Sequence, residues 1–414
     1  MDFNKIETAN SIAVKKITES EPYWVDVLPA GEVLENFNGK TILHSGPPIK
    51  YEDMCILHKR GMINAVLFEG WAKDEGSAEK LLLSGEVKPE SAFNYNTVGS
   101  GTGIVTKSVP LLVIEDKKTG KRAGVFPHEG KFGGGFCGWG VYSKEIAENL
   151  RYMREELFVP VCKILKERGG VPLKPSIAQS LTMGDENHSS QTAVDVVFLR
   201  EILPVLVECE NYKEIINYFA SAKRFFHNFG QAASRSGIIS ADGIPFSSMV
   251  TAAGGNGVEY GIKVAGLPGE WFTAPSPMIK GKYMTEGAKE ENQLPWIGDS
   301  SIVECAGLGG MLSAASPVVC SFRGETLADG INITRDMEKI CIAKNGSYSI
   351  PNLDFDNPPV GIDVLKVAKT GILPVINGGM IDKNGGWMGA GYTRIPIECF
   401  VKAAKRFEEV YGKC

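Results

Sequence analysis

Apolar positions in the first third of the chain change period several times. They recur at helical spacing over residues 4–19, while 23–28 and 40–44 read as strands. The spacing then predicts a helix over 51–60, a strand over 63–68, and a helix over 75–83 that stops at Ser84-Gly85. Two extended runs, 103–116 and 121–126, flank a Lys117-Lys118-Thr119-Gly120 turn and predict a hairpin. The sheet is therefore expected to be mixed rather than purely parallel.

From residue 143 to about 236 the pattern turns helical. Ile146, Leu150, Met153, Leu157, Val161 and Leu165 form one stripe, and similar stripes cover 194–207 and 212–229. The last third returns to glycine-rich α/β, with strands expected over 247–253, 258–264 and 372–377 and helices near 301–313 and 397–411. The reading is a multidomain α/β to α+β protein with mixed sheets and a mainly helical middle segment. Its expected divisions are 1–145, 146–240 and 241–414. Met183-Gly184-Asp185 echoes Ile297-Gly298-Asp299 ahead of helix-like stretches, but two such corners do not make a repeat.

Composition narrows the function classes. At 414 residues the chain exceeds what one core usually organises, and 43% hydrophobic with 22% charged residues excludes extensive disorder or a fibrous protein. A formal charge of −5 argues against nucleic acid and anionic membranes as partners and favours small molecules or proteins. The nine cysteines form no CxxC pair, and several lie in apolar runs such as 161–164 and 319–322, as expected of reduced, buried thiols. Residues 1–7 have no apolar signal core, and no later run approaches the roughly 20 apolar residues of a membrane span. A cytoplasmic location is the expectation.

The densest polar cluster is Met183-Gly184-Asp185-Glu186-Asn187-His188-Ser189-Ser190-Gln191, between two apolar stretches. Asp185, Glu186 and His188 offer proton-transfer groups or hard metal ligands, and Ser189 and Ser190 can hold an anion beside the N–H groups of a new helix. The same residues serve equally well as helix caps. The spacing matches no standard metal signature, so no cofactor is specified, although a divalent metal has room here.

A second corner, Pro295-Trp296-Ile297-Gly298-Asp299-Ser300, leads into a helix followed by Ala306-Gly307-Leu308-Gly309-Gly310. Asp299 and Ser300 can bind a carboxylate or phosphate, or simply cap. Gly254-Gly255-Asn256-Gly257 with Glu259 forms a turn between extended runs. Like Gly99-Ser100-Gly101-Thr102-Gly103, it lacks the order of a Walker loop or a dinucleotide fingerprint. Gly133–Gly140 follows His128, Glu129 and Lys131 and reads as a flexible loop able to close over a ligand, or as a plain turn. His44, Glu69, Trp71 and Arg394 complete the candidates, each also explicable as a capping, packing or surface residue.

Taken in order, these segments resemble the YlbE/AllG family of oxamate (oxalurate) carbamoyltransferase subunits. The resemblance runs through Ile42-Leu43-His44-Ser45-Gly46-Pro47-Pro48, Phe68-Glu69-Gly70-Trp71-Ala72, Met183-Gly184-Asp185-Glu186 with His188, and Asn256-Gly257-Val258-Glu259-Tyr260-Gly261. It continues through Trp271-Phe272-Thr273-Ala274-Pro275, Ile297-Gly298-Asp299-Ser300, Ala306-Gly307-Leu308-Gly309-Gly310 and Thr370-Gly371-Ile372-Leu373-Pro374. Two positions depart from the family pattern. His188 is followed by Ser189-Ser190 where the family often has Asn-Arg, and the glycine loop reads Gly134-Gly135-Phe136-Cys137 where an Arg is common. Two guanidinium groups suited to anions are thereby absent.

The resemblance implies a multi-subunit enzyme that exchanges a carbamoyl group between oxamate and phosphate, with carbamoyl phosphate and oxalurate as the other pair. It also implies a partner subunit similar to acyl-CoA synthetases, homo- or hetero-oligomers, and a place in allantoin and purine breakdown. On this reading Asp185, Glu186, His188 and Asp299 are the catalytic candidates, with His188 as the proton shuttle. Substrate binding falls to Ser189, Ser190, Gly254, Gly255, Asn256, Gly257, Glu259, Ser300 and Arg394. A transferase subunit for another small amide or carboxylate, a non-catalytic subunit of such a complex, and a metal-dependent amidohydrolase remain as alternatives.

Overall fold

The computed structural model describes residues 2–412. Asp2 opens the first helix, Phe3–Thr18, by accepting the N–H groups of Asn4 and Lys5, and the helix buries Ile6, Ala9, Ala13, Val14 and Ile17 on one face. That face packs on the helix Phe226–Ile239, which is buried along almost its whole length. Gly237 lets Ser20 approach it so closely that a Cβ there would lie 2.8 Å from the Ser20 hydroxyl. The same helix packs against strands Pro110–Asp116 and Arg122–Val125 and against the short helix Ile302–Cys305, so it joins the sheet to the last third of the chain.

Five strands form the first sheet, in the order Thr97–Val98, Arg122–Val125, Pro110–Asp116, Pro22–Pro29, Val171–Pro172. Its first pair is parallel and the others antiparallel, which makes it mixed, as the hairpin predicts. An antiparallel sheet of Leu267–Pro275, Glu259–Val264, Val250–Asn256 and Ile297–Gly298 follows, and another of Lys280–Tyr283, Trp387–Arg394 and Val375–Ile381. Two two-stranded sheets complete the set. Between Lys144 and Ile239 helices dominate, joined by loops such as 182–191 and 207–211 and by the short strand Val171–Pro172.

Two large hydrophobic clusters lie beneath these elements. One gathers residues from Ala30 to Leu111 with Phe126 to Leu150, and the other takes in the first helix, the strand Pro22–Pro29, the helical middle and the last third. Among the described residues every cysteine is unpaired; Cys55 and Cys162 are half-buried and the rest buried. No helix among them is long and apolar enough to cross a membrane.

Three expectations need correction. The run 63–68, read as a strand, is the second half of the helix Ile56–Phe68. Leu57, Gly61, Ala65 and Phe68 face inward at helical spacing, and tertiary packing overrides the local β-branched signal. Only Pro110–Asp116 of the extended run 103–116 becomes a strand. The stripe over 212–229 breaks into Tyr212–Ser221 and Phe226–Ile239. At the break Arg224 adopts a left-handed backbone with φ 63°, held by Asp195, which accepts the N–H groups of Arg224 at 2.7 Å and Phe226 at 3.0 Å.

Candidate functional site

A cavity of about 390 Å3 collects segments from across the chain. His128, His188, His227, Lys223, Arg224 and Ser300 line it on polar sides, and Phe126, Trp139, Ile297, Ile381 and Trp387 supply apolar wall. Three of the five histidines of the chain thus converge on one space.

His188 is fixed from two directions. Its Nδ1 lies 2.7 Å from Glu304 Oε1, with both side chains buried. Glu304 Oε1 also accepts the N–H groups of Gly310 at 2.9 Å and Asn377 at 3.0 Å. On the other side the Glu186 carboxylate accepts the backbone N–H groups of His188 and Ser190, each at 2.8 Å, and that of Ser189. A carboxylate on Nδ1 holds the imidazole in one orientation and leaves Nε2 to the cavity that His188 lines. Burial is the strongest single influence and works against the charged imidazolium, but the charge and hydrogen bond of Glu304 together with the charge of Glu186 outweigh it. The His188 pKa is raised above its ordinary value as a result.

The other two imidazoles behave oppositely. His227 stacks on His188 with ring centroids 5.6 Å apart, and burial together with the charges of Arg224 and His188 holds its pKa well below the usual range. Gln191 Nε2 lies 2.7 Å from His227 Nδ1, an arrangement in which Nδ1 accepts and Nε2 carries the proton. His128 is lowered to about 4 by burial and then by Arg224. One histidine poised to carry charge therefore stands beside two held neutral, a division that suits acid and donor roles in one site.

The cavity wall is also electropositive. Arg224 is accessible yet sits deep enough among protein atoms that desolvation lowers its pKa. Its side chain donates from Nη2 to the His188 carbonyl at 3.3 Å, and neither it nor Lys223 is ion-paired among the described residues. The nearby carboxylates offset this field only in part, Glu186 and Asp195 acting on Arg224 and Glu304 on His188. Glu186 and Glu304 Oε1 are engaged by the donors described, and burial pushes Glu129 up to about 7 against the Cys137 N–H, which donates to it at 2.6 Å. A cleft that presents two side-chain cations outside any ion pair, beside an acid pushed towards neutrality at Glu129, suits a small anion.

Of the residues singled out in sequence, His188, Ser189 and Ser300 line this cavity, as do His128, Glu129 and the glycine loop at Gly133, Gly134, Gly138 and Trp139, with Ser100 and Gly101. Asp185 and Glu186 adjoin it but turn inward: Asp185 accepts the Ser190 hydroxyl at 2.6 Å and the Val194 N–H at 2.8 Å, tying down the start of the helix Thr192–Leu206. The N–H groups expected to hold an anion at 189–190 are the ones Glu186 already accepts. Asp299 is buried and clamps two loops, its Oδ1 accepting Gly46 N–H at 2.7 Å and its Oδ2 Gly99 N–H at 2.9 Å, while burial pushes its pKa up to about 8.

The turn at 254–257, Glu259 and Arg394 lie off the cavity wall. Gly254 gives Asp299 room, since a Cβ there would lie 2.4 Å from Oδ1. Gly255 accepts the Ser45 hydroxyl, Asn256 closes the turn at Gly257 by accepting the Val258 and Glu259 N–H groups, and Glu259 accepts the Thr273 hydroxyl. Arg394 is exposed and donates to the Leu373 carbonyl at 2.8 Å. With Asp185 and Glu186 committed to protein donors, no three His, Cys, Asp or Glu residues among those described are grouped to hold a metal ion.

Sequence reasoning passed over Glu304, Lys223, Arg224 and His227. Glu304 stands alone in the apolar run Ile302-Val303-Glu304-Cys305, and a charge in such a run is the signal that marks it. Lys223-Arg224-Phe225-Phe226-His227 carries a similar signal, basic residues within an aromatic stretch read as a continuous helix.

Fold and site together define a mixed α/β protein in which a cavity lined by two basic side chains adjoins a histidine–carboxylate couple. The chain belongs to the oxamate carbamoyltransferase subunit AllG family, whose family model matches residues 87–300. It is 34% identical over 422 aligned residues to the oxamate carbamoyltransferase subunit AllG of Escherichia coli (strain K12), covering 99% of each chain. It is 33% identical to the uncharacterized protein YahG of the same organism, covering 99% of this chain and 87% of YahG. The crystal structure of a conserved protein of unknown function from Enterococcus faecalis V583 has the same fold, with a TM-score of 0.91, 32% identity and 98% of each chain covered.

Proposed function

We propose that this chain is a subunit of an oxamate carbamoyltransferase complex and that its cavity is where the carbamoyl group moves between oxalurate and phosphate. The observation that carries this reading is the pairing of unpaired cations, Lys223 and Arg224, with the His188–Glu304 couple in one cavity. Oxalurate and hydrogenphosphate are both anions and need such cations. A phosphate oxygen attacks the terminal carbamoyl carbon of oxalurate, forming a C–O bond, and the tetrahedral intermediate collapses by breaking the C–N bond to release oxamate.

The proton balance of this step closes within the reactants. Oxamate nitrogen gains one proton, and hydrogenphosphate loses one on becoming carbamoyl phosphate. His188 Nε2 donates to the leaving nitrogen and then takes the proton that phosphate surrenders, while Glu304 stabilises the imidazolium. Arg224 and the Nε2–H of His227 serve the developing oxyanion and the carboxylate. A partner subunit similar to acyl-CoA synthetases completes the assembly.

The test is carbamoyl phosphate formation from oxalurate and phosphate, measured for this chain alone and with the proteins that co-purify with it. Activity in the complex supports the reading. No activity there, with calorimetric binding of a different small carboxylate or amide, assigns the cavity to another substrate of the same chemical class, which the apolar wall of Trp139 and Trp387 would then accommodate.

A further inference from the structure

Both backbone donors that fix Glu304 lead to the same guanidinium. Asn377, whose N–H donates to Glu304 Oε1, accepts Arg323 Nη1 at its side-chain Oδ1, 3.2 Å away. Gly310 is the other N–H donor, and its carbonyl accepts the Ser313 hydroxyl at 2.8 Å; Ser313 Oγ in turn accepts Arg323 Nη2 at 3.1 Å. The Arg323 side chain is 1% exposed, its Nε is 2.7 Å from Glu325 Oε2, and it lies over the Tyr392 ring at 4.7 Å from the centroid. Every edge of this planar group is therefore engaged, so it holds both arms in one geometry. The arms are also packed together: a Cβ on Gly310 would meet the Val375 carbonyl at 2.5 Å.

We propose that Arg323 is a positioning residue for His188, acting through Asn377 and through Ser313 and Gly310 to place the Glu304 carboxylate on Nδ1. It makes no contact with the cavity. Its effect is to hold one carboxylate oxygen at the point where three donors meet, so that the imidazole keeps a single orientation and Nε2 stays directed at the reacting group. A lysine cannot reproduce this, because it has no planar fork to span Asn377 and Ser313. The proposal rests on the assignment of His188 as the shuttle only for its catalytic consequence; the hydrogen-bond arrangement is independent of any substrate.

The experiment uses the full chain with 15N-labelled histidine. The groups acting on His188 are Glu304 and Glu186 on one side and Arg224 and His227 on the other, and all are left in place. The wild-type protein is expected to show a downfield Nδ1–H resonance from His188, assigned by its absence in His188→Asn, and a His188 pKa above the ordinary value. In Arg323→Met and Arg323→Lys the resonance is expected to broaden or vanish and the pKa to fall by about one unit or more. Should either variant fail to fold, the milder single-arm variants Asn377→Ala and Ser313→Ala are expected to give partial shifts in the same direction, larger in combination.

A folded variant whose Nδ1–H resonance is intact and whose His188 pKa is unchanged or higher overturns the proposal and reduces Arg323 to a stabilising residue. Turnover of the co-purified complex is a separate readout: kcat is expected to fall at least tenfold with KM for oxalurate within threefold. If the wild-type complex does not turn over oxalurate, the proposed reaction fails while the NMR result still decides the role of Arg323.

Discussion

His188 and Glu304, 116 positions apart in the chain, meet with Nδ1 and Oε1 2.7 Å apart inside the protein. The contact ties the polar corner before the helix Thr192–Leu206 to the short helix Ile302–Cys305, and it puts the charged form of one imidazole at the edge of a cation-bearing cavity. The proposed chemistry depends on that contact.

A pH dependence follows directly. Because Glu304 raises the His188 pKa above the ordinary 6.5, His188 keeps its proton to higher pH than a free imidazole and is available as the acid over a correspondingly wider range. Oxamate formation is expected to be sustained near neutral pH and to fall as pH rises through that raised pKa. In Glu304→Gln the fall should move to lower pH. A pH–rate profile of the two complexes checks this, and coincident profiles would remove Glu304 from the account.

Arg224 offers a separation of stability from binding. Its left-handed backbone costs a non-glycine residue about 1 kcal/mol or more, so Arg224→Gly is expected to leave thermal stability unchanged or raise it. The same change removes a charge-assisted contact of roughly 1.5–3 kcal/mol, a loss of about ten- to a hundredfold in affinity for oxalurate or phosphate. Calorimetry with each anion, beside a melting curve, is the check. Unchanged affinity would place the anion elsewhere.

Much of the fold could be read from the sequence where period and caps agree. The helices over 4–19, 75–83 and 397–411 are found as Phe3–Thr18, Glu75–Leu83 and Ile397–Tyr411, and the 117–120 hairpin pairs as expected. The misread strand at 63–68 failed because a short apolar run has no period of its own. The site was half legible: His188 stands out beside polar neighbours, whereas Glu304 meets it only through tertiary folding, and Arg224 becomes visible once Asp195 breaks the helical stripe. Asp185 and Glu186 look catalytic in sequence because capping and proton transfer use the same residue types.

Asp299 is expected to act on stability before activity. In Asp299→Asn one of the two acceptors becomes a donor facing the Gly46 or Gly99 N–H group, which leaves a buried N–H unpaired at a cost of about 1–3 kcal/mol. Urea unfolding should show this loss. A midpoint unchanged from wild type would contradict the clamp.

Acid sensitivity is expected from His58. Burial lowers its pKa to about 4, although Thr102 and Asn256 carbonyls near its ring nitrogens pull the other way. Below 6.5 the unfolded chain binds a proton that the folded chain does not, so stability is fully present above 6.5 and is lost as pH falls towards 4, by up to about 3 kcal/mol. Denaturation midpoints of the wild type and His58→Gln, measured between those limits, should differ in slope, with the variant the flatter. Equal slopes would assign the acid sensitivity to other groups.

The most direct measurement is the rate of carbamoyl phosphate formation from oxalurate and phosphate by the co-purified complex carrying His188→Asn. The account predicts a fall of at least a hundredfold in kcat, the scale of a lost general acid–base group, with oxalurate affinity retained by Lys223 and Arg224. Turnover within twofold of wild type would contradict it and move the chemistry to another group or another subunit.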